Sequence, residues 1–386
     1  MKNAFLNEKQ TKVALCEFIL NSSMLSMSIE CSKFEKNFAA YQGRKHAILF
    51  NSGGSANLAL LQAIKNLNKI ASNDKVGFSA LTWSTNVMPI IQMGFSPVPI
   101  DCSPSTLNVM SSEVEKVIQK HELKAIFLTN ALGFLGDIDI IKKICKEKNI
   151  ILIEDNCESL GSSVGDVKAG NFGLASTFSF FVAHHMSTIE GGMICTDDEE
   201  LAEMIRIVRA NGWDRNLNAK SQQKWRKKYN IQSEFNAKYT FYDLGFNMRP
   251  TEITGFLGNY QLQFLEQNIE KRESNYLKIE ELVKENKELI LLEHDHINKL
   301  STFAFPFVCK TKELRDKYLS RFSGAGIEIR PMIAGNMQAQ PFYSKYVKQI
   351  HDLPGTDFLH ENGFYCGNYP ELTDVDIEVI SSCLYI

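Results

Sequence analysis

The sequence predicts an α/β protein in which a mostly parallel sheet is covered by helices on both faces, followed by a smaller α+β domain. Three observations support this. The 386 residues are enough for two domains. From about residue 46, short apolar runs alternate with amphipathic stretches, a pattern typical of parallel strands joined by helices. A long amphipathic pattern over residues 251–286 then leads into a tail richer in strands.

Seven apolar runs are the expected strands of the large sheet: residues 47–50, 76–80, 97–101, 125–130, 150–154, 175–182 and 193–196. Helical periodicity lies between and after them, at residues 55–66, 84–93, 111–121, 138–148 and 199–211. Residues 213–238 are polar and basic, and we expect an irregular surface excursion there. In the tail, runs at 301–309 and 327–330 flank a helix at 312–323.

These elements predict a large domain at residues 1–248 and a small C-terminal domain at 249–386. Packing of the N-terminal segment on the small domain is left open. No internal repeat of solenoid period interrupts this organisation.

Composition and charge exclude several classes of protein. The chain is 44% hydrophobic and 23% charged, which fits a folded core and argues against disorder. A net charge of -3 gives no overall field for nucleic acid or an anionic membrane. The first 20 residues contain Glu8 and Glu17 and lack the apolar stretch of a signal peptide. We therefore expect a soluble cytoplasmic protein that binds neither nucleic acid nor membrane.

Cysteine usage predicts a reducing compartment. The nine cysteines are scattered, with no C-x-x-C pair and no Cys/His cluster at zinc spacing. We expect neither disulfides nor a metal site.

Three segments contain candidate functional residues. Residues 51–55 (Asn-Ser-Gly-Gly-Ser) lie between a strand and a helix, where backbone amides suit an anion such as phosphate, although a tight turn explains them equally well. Residues 154–158 (Glu-Asp-Asn-Cys-Glu) follow the most apolar strand, and a carboxylate there either holds a protonated ring nitrogen or a metal, or caps a helix. The pair His184-His185 lies between an apolar run and a Gly-Gly step and is weak evidence alone.

Taken together, the order and spacing of these segments resemble the DegT/DnrJ/EryC1/StrS family of pyridoxal-phosphate-dependent sugar aminotransferases. The resemblance extends to residues 245–251 (Gly-Phe-Asn-Met-Arg-Pro-Thr) and covers nearly the whole chain. It implies the aspartate aminotransferase fold (fold type I), with a seven-stranded sheet in the cofactor-binding domain.

One position departs from that family. Five residues after Ser179 the family has the lysine that binds the cofactor covalently, and this chain has His184. An imidazole cannot form that bond, so the cofactor must be held noncovalently. A histidine titrates near neutral pH and can remove and return a proton.

The branch of the family with this histidine comprises sugar 3-dehydratases. Residues 183–185, 190–192 and 334–341 resemble its motifs. Dehydratases of CDP-sugars carry a four-cysteine iron–sulfur set, but no cysteine lies between Cys195 and Cys309 here. The resemblance therefore implies the type without an iron–sulfur cluster.

The resemblance also implies site roles. His184 is the catalytic acid and base, and Asp155 pairs with the pyridine nitrogen. Trp83 stacks on the ring, its alternative being a buried core aromatic. The other implied cofactor ligands are Glu158 near the ring hydroxyl, Gly54, Ser55 and Ser179 at the phosphate, and Asn247 from the neighbouring subunit of a homodimer. Arg249, Arg330 and Asn336 are candidates for the substrate pocket, although each is equally explained as a structural residue.

The implied reaction is removal of the C3 hydroxyl from a nucleotide-linked 4-keto-6-deoxy sugar, with GDP-4-keto-6-deoxy-D-mannose as the expected substrate. L-Glutamate would convert pyridoxal phosphate to pyridoxamine phosphate, and the product would enter dideoxysugar synthesis for O-antigen or capsule. Two alternatives remain: a nucleotide-sugar aminotransferase that uses another lysine, such as Lys168, and an inactive binding protein with this fold.

Overall fold

The computed structural model describes residues 3–385 and contains a seven-stranded sheet. Its strand order is β1-β9-β8-β5-β4-β2-β3. The strands, numbered along the chain, are β1 (His46–Phe50), β2 (Lys75–Ser79), β3 (Ser96–Ile100), β4 (Leu123–Thr129), β5 (Ile151–Asp155), β8 (Ala175–Ser179) and β9 (Gly192–Thr196). β9 is antiparallel to both its neighbours, and the other pairs are parallel. The mostly parallel sheet predicted from the sequence is confirmed.

Helices cover both faces of this sheet. They are α3 (Gly53–Asn66), α4 (Ser84–Gln92), α5 (Ser111–Lys120), α6 (Ile138–Glu147) and α7 (Glu199–Arg209). Apolar side chains of α3, α4 and α7 form one core with the sheet. Those of α5 and α6 form a second core that continues into the C-terminal part of the chain. Burial on both faces explains why the strands are nearly continuous apolar runs.

The polar stretch after α7 is more regular than its composition predicts. It contains α8 (Ala219–Lys228) and α9 (Glu234–Ala237). Trp225 of α8 is buried, and its indole N–H donates to Glu203 of α7 over 3.0 Å. Arg226 pairs with Asp214 at 3.0 Å. The expectation of an irregular excursion was therefore wrong. The buried Trp225 ring and the ion pair of Arg226 hold this segment against the large core.

The long amphipathic pattern forms two helices, α10 (Glu252–Leu262) and α11 (Leu265–Glu285). They lead to a four-stranded antiparallel sheet of order β10-β11-β13-β12. Its strands are β10 (Leu289–Ile290), β11 (Ala304–Cys309), β12 (Ile329–Pro331) and β13 (Gly363–Gly367). The helices here are α12 (Lys312–Gly324), α13 (Pro341–Tyr346), α14 (Pro354–Asn362) and α15 (Asp374–Ser382), and a short hairpin, β6 (Ser163–Val164) with β7 (Val167–Lys168), lies between β5 and β8.

The N-terminal helices, α1 (Glu8–Asn21) and α2 (Ile29–Gln42), pack against α10. The buried Glu252 carboxylate of α10 accepts from the amides of Ser28, Glu30 and Cys31 at 2.6, 2.8 and 3.1 Å. The two sheets lie on opposite sides of residues 248 and 249 in the chain, and the domain division there stays a prediction. No helix within residues 3–385 is long and apolar enough to cross a membrane.

Candidate active site

A cavity of about 930 Å³ lies between the two sheets, at the carboxyl ends of the parallel strands. Open parallel sheets bind ligands at this edge, because the loops that leave the strands meet there. The large-sheet side of the cavity includes Gly53, Asp155 and His184, and the small-sheet side includes Arg330 and Tyr365.

The loop between β1 and α3 forms a cradle for an anion. Gly53 and Gly54 begin α3, whose first N–H groups have no partner inside the helix. A Cβ at Gly53 would lie 2.8 Å from the Cβ of Ser179, so only glycine leaves this space open. Gly54 and Ser179 line the cavity, whereas the Ser55 amide donates to the Ser52 side chain over 3.1 Å, and the roles of all three at a phosphate stay predictions. The sequence reasoning did not single out Gly53.

Asp155 ends β5 and is 4% exposed at the cavity wall. Its Oδ2 accepts from the side-chain amides of Asn57 at 2.8 Å and Asn86 at 2.7 Å. Its Oδ1 accepts from the amide of Cys157 at 2.9 Å. Among the described residues no lysine or arginine pairs with this carboxylate. A buried carboxylate held only by neutral donors suits a ligand that brings its own positive charge.

Trp83 lies at the N-cap of α4 and lines the same cavity. It is 56% exposed, so its alternative reading as a buried core aromatic was wrong. The ring therefore offers an aromatic surface to a planar ligand.

Glu158 follows β5 and accepts from the Leu132 amide at 2.9 Å. Burial raises the pKa of its carboxyl to about 7, with a smaller contribution from the negative charge of Asp155. This side chain therefore exchanges its proton near neutral pH.

His184 follows β8 and lines the cavity. Its Nδ1 lies 2.6 Å from the carbonyl oxygen of Cys157. Since a carbonyl can only accept, Nδ1 carries the ring proton and Nε2 has the free electron pair. Burial lowers the pKa of His184 to about 4, although the Cys157 carbonyl and Asp155 act in the opposite direction. The imidazole is therefore neutral at pH 7 and able to accept a proton.

His185 and Lys168 do not share this environment. His185 is buried with its Nε2 3.0 Å from the Ser301 carbonyl oxygen, and it does not line the cavity. The Lys168 ammonium donates to the Tyr41 carbonyl over 2.7 Å and lies 3.6 Å from the centroid of the Tyr41 ring. Within residues 3–385, no lysine lines the cavity.

The structure brings only one of the three substrate candidates to the cavity. Arg330 lines it and pairs with Glu328. Asn336 is 2% exposed outside it, where its amide donates to Asp357 at 2.6 Å and accepts from the Gln338 amide at 2.9 Å. Both polar atoms of that side chain already have protein partners, so its role in substrate binding stays a prediction that these contacts do not favour.

Arg249 and Asn247 are exposed, and the Arg249 Nε donates to Asn247 Oδ1 over 3.1 Å. Neither lines the cavity of its own chain. Their roles in ligand binding stay predictions. In the described part of the chain, no group of three or more His, Cys, Asp or Glu side chains is placed to hold a metal ion.

Comparison with known proteins decides the family. The model of the DegT/DnrJ/EryC1/StrS aminotransferase family matches residues 7–385. The chain belongs to this family. It is similar to GDP-4-keto-6-deoxy-D-mannose 3-dehydratase of Yersinia pseudotuberculosis, with 32% identity over 91% of this chain and 89% of the relative. The enzyme of that name from Escherichia coli O55:H7 is 33% identical over 91% of this chain and 90% of its own length.

Solved structures agree with this family assignment. A mutant of GDP-4-keto-6-deoxymannose-3-dehydratase with bound GDP-perosamine matches with a TM-score of 0.91 and 30% identity over 99% of both chains. The same enzyme with a trapped PLP-glutamate geminal diamine matches with a TM-score of 0.90 and 31% identity over 97% of both chains. The predicted fold of pyridoxal-phosphate-dependent aminotransferases is confirmed.

Proposed function

We propose that this chain is a pyridoxal-phosphate-dependent 3-dehydratase of a nucleotide-linked 4-keto-6-deoxy sugar. The expected substrate is GDP-4-keto-6-deoxy-D-mannose, and L-glutamate is the expected amino donor. The observation that carries the proposal is His184, which stands where the family has its cofactor-binding lysine and has an unprotonated Nε2 in a cavity shared with Asp155. The relatives named for this reaction support the choice of substrate.

The residues of the cavity fit the cofactor. Asp155 is a buried carboxylate with no cationic partner among residues 3–385, which suits a protonated pyridine nitrogen. The Trp83 ring lines the same cavity and suits stacking, and the amides of Gly53 and Gly54 with Ser179 suit the phosphate. When bound, pyridoxal phosphate and pyridoxamine phosphate supply an electron sink that makes loss of a proton from a neighbouring carbon possible.

His184 moves the proton in this proposal. Its Nε2 accepts a proton, because the low pKa keeps the ring neutral at pH 7. Once charged, a buried imidazolium of low pKa is a strong acid, and it can transfer the proton to the hydroxyl that leaves C3 of the sugar. The hydrogen bond from Nδ1 to Cys157 fixes the ring during both transfers.

Arg330 is the side chain of this cavity best suited to a nucleotide diphosphate, since a guanidinium binds phosphate oxygens through two N–H groups. Glu328, its present partner, would have to release it. Arg249 and Asn336 stay weaker candidates for the substrate.

We also propose a homodimer in which Asn247 of one subunit contacts the phosphate of the cofactor bound in the other subunit. Phe181 and Ile189, beside the catalytic loop, are 42% and 48% exposed, and Phe241, near Asn247 in the chain, is 58% exposed. Cover by a second copy of the chain would remove these apolar side chains from water.

The nine cysteines are all free thiols, which supports a cytoplasmic location.

Borohydride reduction of the cofactor-loaded protein, followed by peptide mapping, tests the noncovalent site. We expect no stoichiometric pyridoxyl-lysine, because the lysine position is occupied by His184. A specific lysine adduct in the cavity would contradict the proposal and favour an aminotransferase.

Turnover of GDP-4-keto-6-deoxymannose with L-glutamate tests the reaction itself. We expect a 4-keto-3,6-dideoxy sugar and ammonia. Conversion of the sugar ketone to a stable amine would indicate an aminotransferase, and failure of glutamate to convert the cofactor to its amine form would indicate a binding protein.

A further inference from the structure

One face of α11 carries three buried polar side chains directly behind the cavity. Asn268, Arg272 and Asn275 are spaced i, i+4 and i+7, so they lie on the same side of the helix. Their exposed fractions are 3%, 2% and 0%. We call these three residues the polar stripe of α11. Burial of such polar side chains costs desolvation free energy unless hydrogen bonds within the protein offset it.

Arg272 is a buried guanidinium without an acidic partner in the described chain. Its Nε donates to Asn268 Oδ1 at 2.9 Å. Its Nη1 donates to the carbonyls of Phe303 at 2.9 Å and Asn368 at 2.6 Å. Its Nη2 donates to the His184 carbonyl at 3.4 Å. All these hydrogen-bond acceptors are neutral oxygens, and the three carbonyls belong to separate segments of the chain.

The other two members of the polar stripe extend these contacts. The Asn268 amide donates to the His185 carbonyl, and the Asn275 amide donates to the Tyr369 carbonyl at 3.1 Å. Asn275 also donates to the Asn368 side chain at 3.2 Å.

Three of the residues whose carbonyls accept from the polar stripe line the cavity: His184, Phe303 and Tyr369. They come from the loop after β8, the residue before β11 and the loop after β13. One face of α11 therefore hydrogen-bonds both to His184 and to the two small-sheet segments that form the opposite wall of the cavity.

We infer that the polar stripe of α11 consists of positioning residues, which set the distance between His184 and the small-sheet wall of the cavity. The planar guanidinium of Arg272 is suited to this role, because its N–H groups have fixed directions and bind several carbonyls at once. A lysine would retain the charge but lose these directions. A misplacement of about 1 Å at a reacting group costs about 100-fold in rate.

The test compares Arg272→Lys and Asn268→Ala with the matched control Arg209→Lys. Arg209 is likewise 2% exposed, but it pairs with Glu35 at 2.6 Å and does not line the cavity. For Arg272→Lys and Asn268→Ala we expect kcat of the dehydration to fall by about 100-fold with KM nearly unchanged. Arg209→Lys should lose melting temperature to a comparable extent but retain kcat per folded molecule. A uniform loss in all three variants would overturn the inference.

The kinetic comparison rests on the proposed function, so a second readout is independent of it. Hydrogen–deuterium exchange of the peptide that contains residues 181–190 should be faster in Arg272→Lys and Asn268→Ala than in Arg209→Lys, without any ligand. If exchange changes while the wild type shows no dehydration, the proposed function fails and the positioning role stands. Asn268→Ala is the milder change, because it shortens the side chain without altering the charge. If exchange over this peptide in Asn268→Ala equals exchange in the control Arg209→Lys, the positioning role is wrong.

Discussion

The Nδ1 atom of His184 lies 2.6 Å from the carbonyl oxygen of Cys157, and the amide of Cys157 donates to Asp155 over 2.9 Å. Cys157 therefore orients both the His184 imidazole and the Asp155 carboxylate. The carbonyl fixes the tautomer of the imidazole, and the amide fixes one oxygen of Asp155. The backbone of this one residue therefore fixes the position of the imidazole relative to the carboxylate.

Replacement of His184 by asparagine should abolish dehydration while leaving cofactor binding intact. Loss of a positioned acid and base costs about 100- to 10,000-fold in rate. The substitution leaves the proposed cofactor contacts of Asp155 and Trp83 in place, so an absorbance titration with pyridoxal phosphate should give a nearly wild-type dissociation constant. His121→Asn, at the end of α5 and outside the cavity, is the control and should affect neither quantity. Undiminished turnover by His184→Asn would show that another group is the base.

The raised pKa of Glu158 predicts a pH-dependent stability. Its folded-state pKa of about 7 exceeds the ordinary 4.5, so the native state binds this proton more tightly than the unfolded state does. The resulting stabilisation is complete below pH 4.5 and is lost as the pH rises through about 7.

Glu158→Gln retains an acceptor for the Leu132 amide and removes the ionisation. We expect it to stabilise the ligand-free protein by about 1–3 kcal/mol at pH 8 and by much less at pH 5. Thermal unfolding at the two pH values measures this difference, with the exposed Glu361→Gln as control. An equal effect at both pH values would contradict the raised pKa.

The sequence predicted the framework of the site because its signals are local. Asp155 directly follows the predicted strand 150–154, and this placed it at the carboxyl edge of the sheet. The predicted run 175–182 extended past Ser179, which is the last residue of β8. The exchange of lysine for histidine at position 184 was readable because the resemblance to the family aligns Ser179 and Glu190, and the spacing then identifies the position.

Contacts between distant segments were not readable in this way. Asn57 and Asn86 lie on different helices, and both donate to Asp155. Arg272 occupies a helix whose polar residues suggest a solvated face, and only its packing against the segments of His184, Phe303 and Asn368 buries it. Trp225 likewise lies in a basic stretch that reads as surface, yet its ring is 3% exposed. Such burial depends on tertiary partners that periodicity does not reveal.

Asn57→Ala and Asn86→Ala should each weaken cofactor binding by about tenfold, because each removes a hydrogen bond of about 1.5 kcal/mol to a charged group. The Oδ1 atoms of both asparagines are buried without a partner in the described structure. Alanine removes that unsatisfied oxygen together with the donor, so the fold should lose little stability. Fluorescence titration with pyridoxal phosphate measures the effect, and Asn37→Ala on the exposed face of α2 is the control. Wild-type affinity in both variants would show that Asp155 needs no such support.

Replacement of Trp83 separates stacking from other uses of its side chain. Trp83→Ala should weaken pyridoxal phosphate binding by about tenfold, since aromatic stacking contributes about 0.5–1.5 kcal/mol. The melting temperature of the ligand-free protein should change little, because the ring is 56% exposed. Trp83→Phe keeps a ring face and should retain most of the affinity. Calorimetric titration of both variants checks this: equal losses in Phe and Ala would assign the binding to the indole N–H, and no loss in Ala would remove Trp83 from the cofactor site.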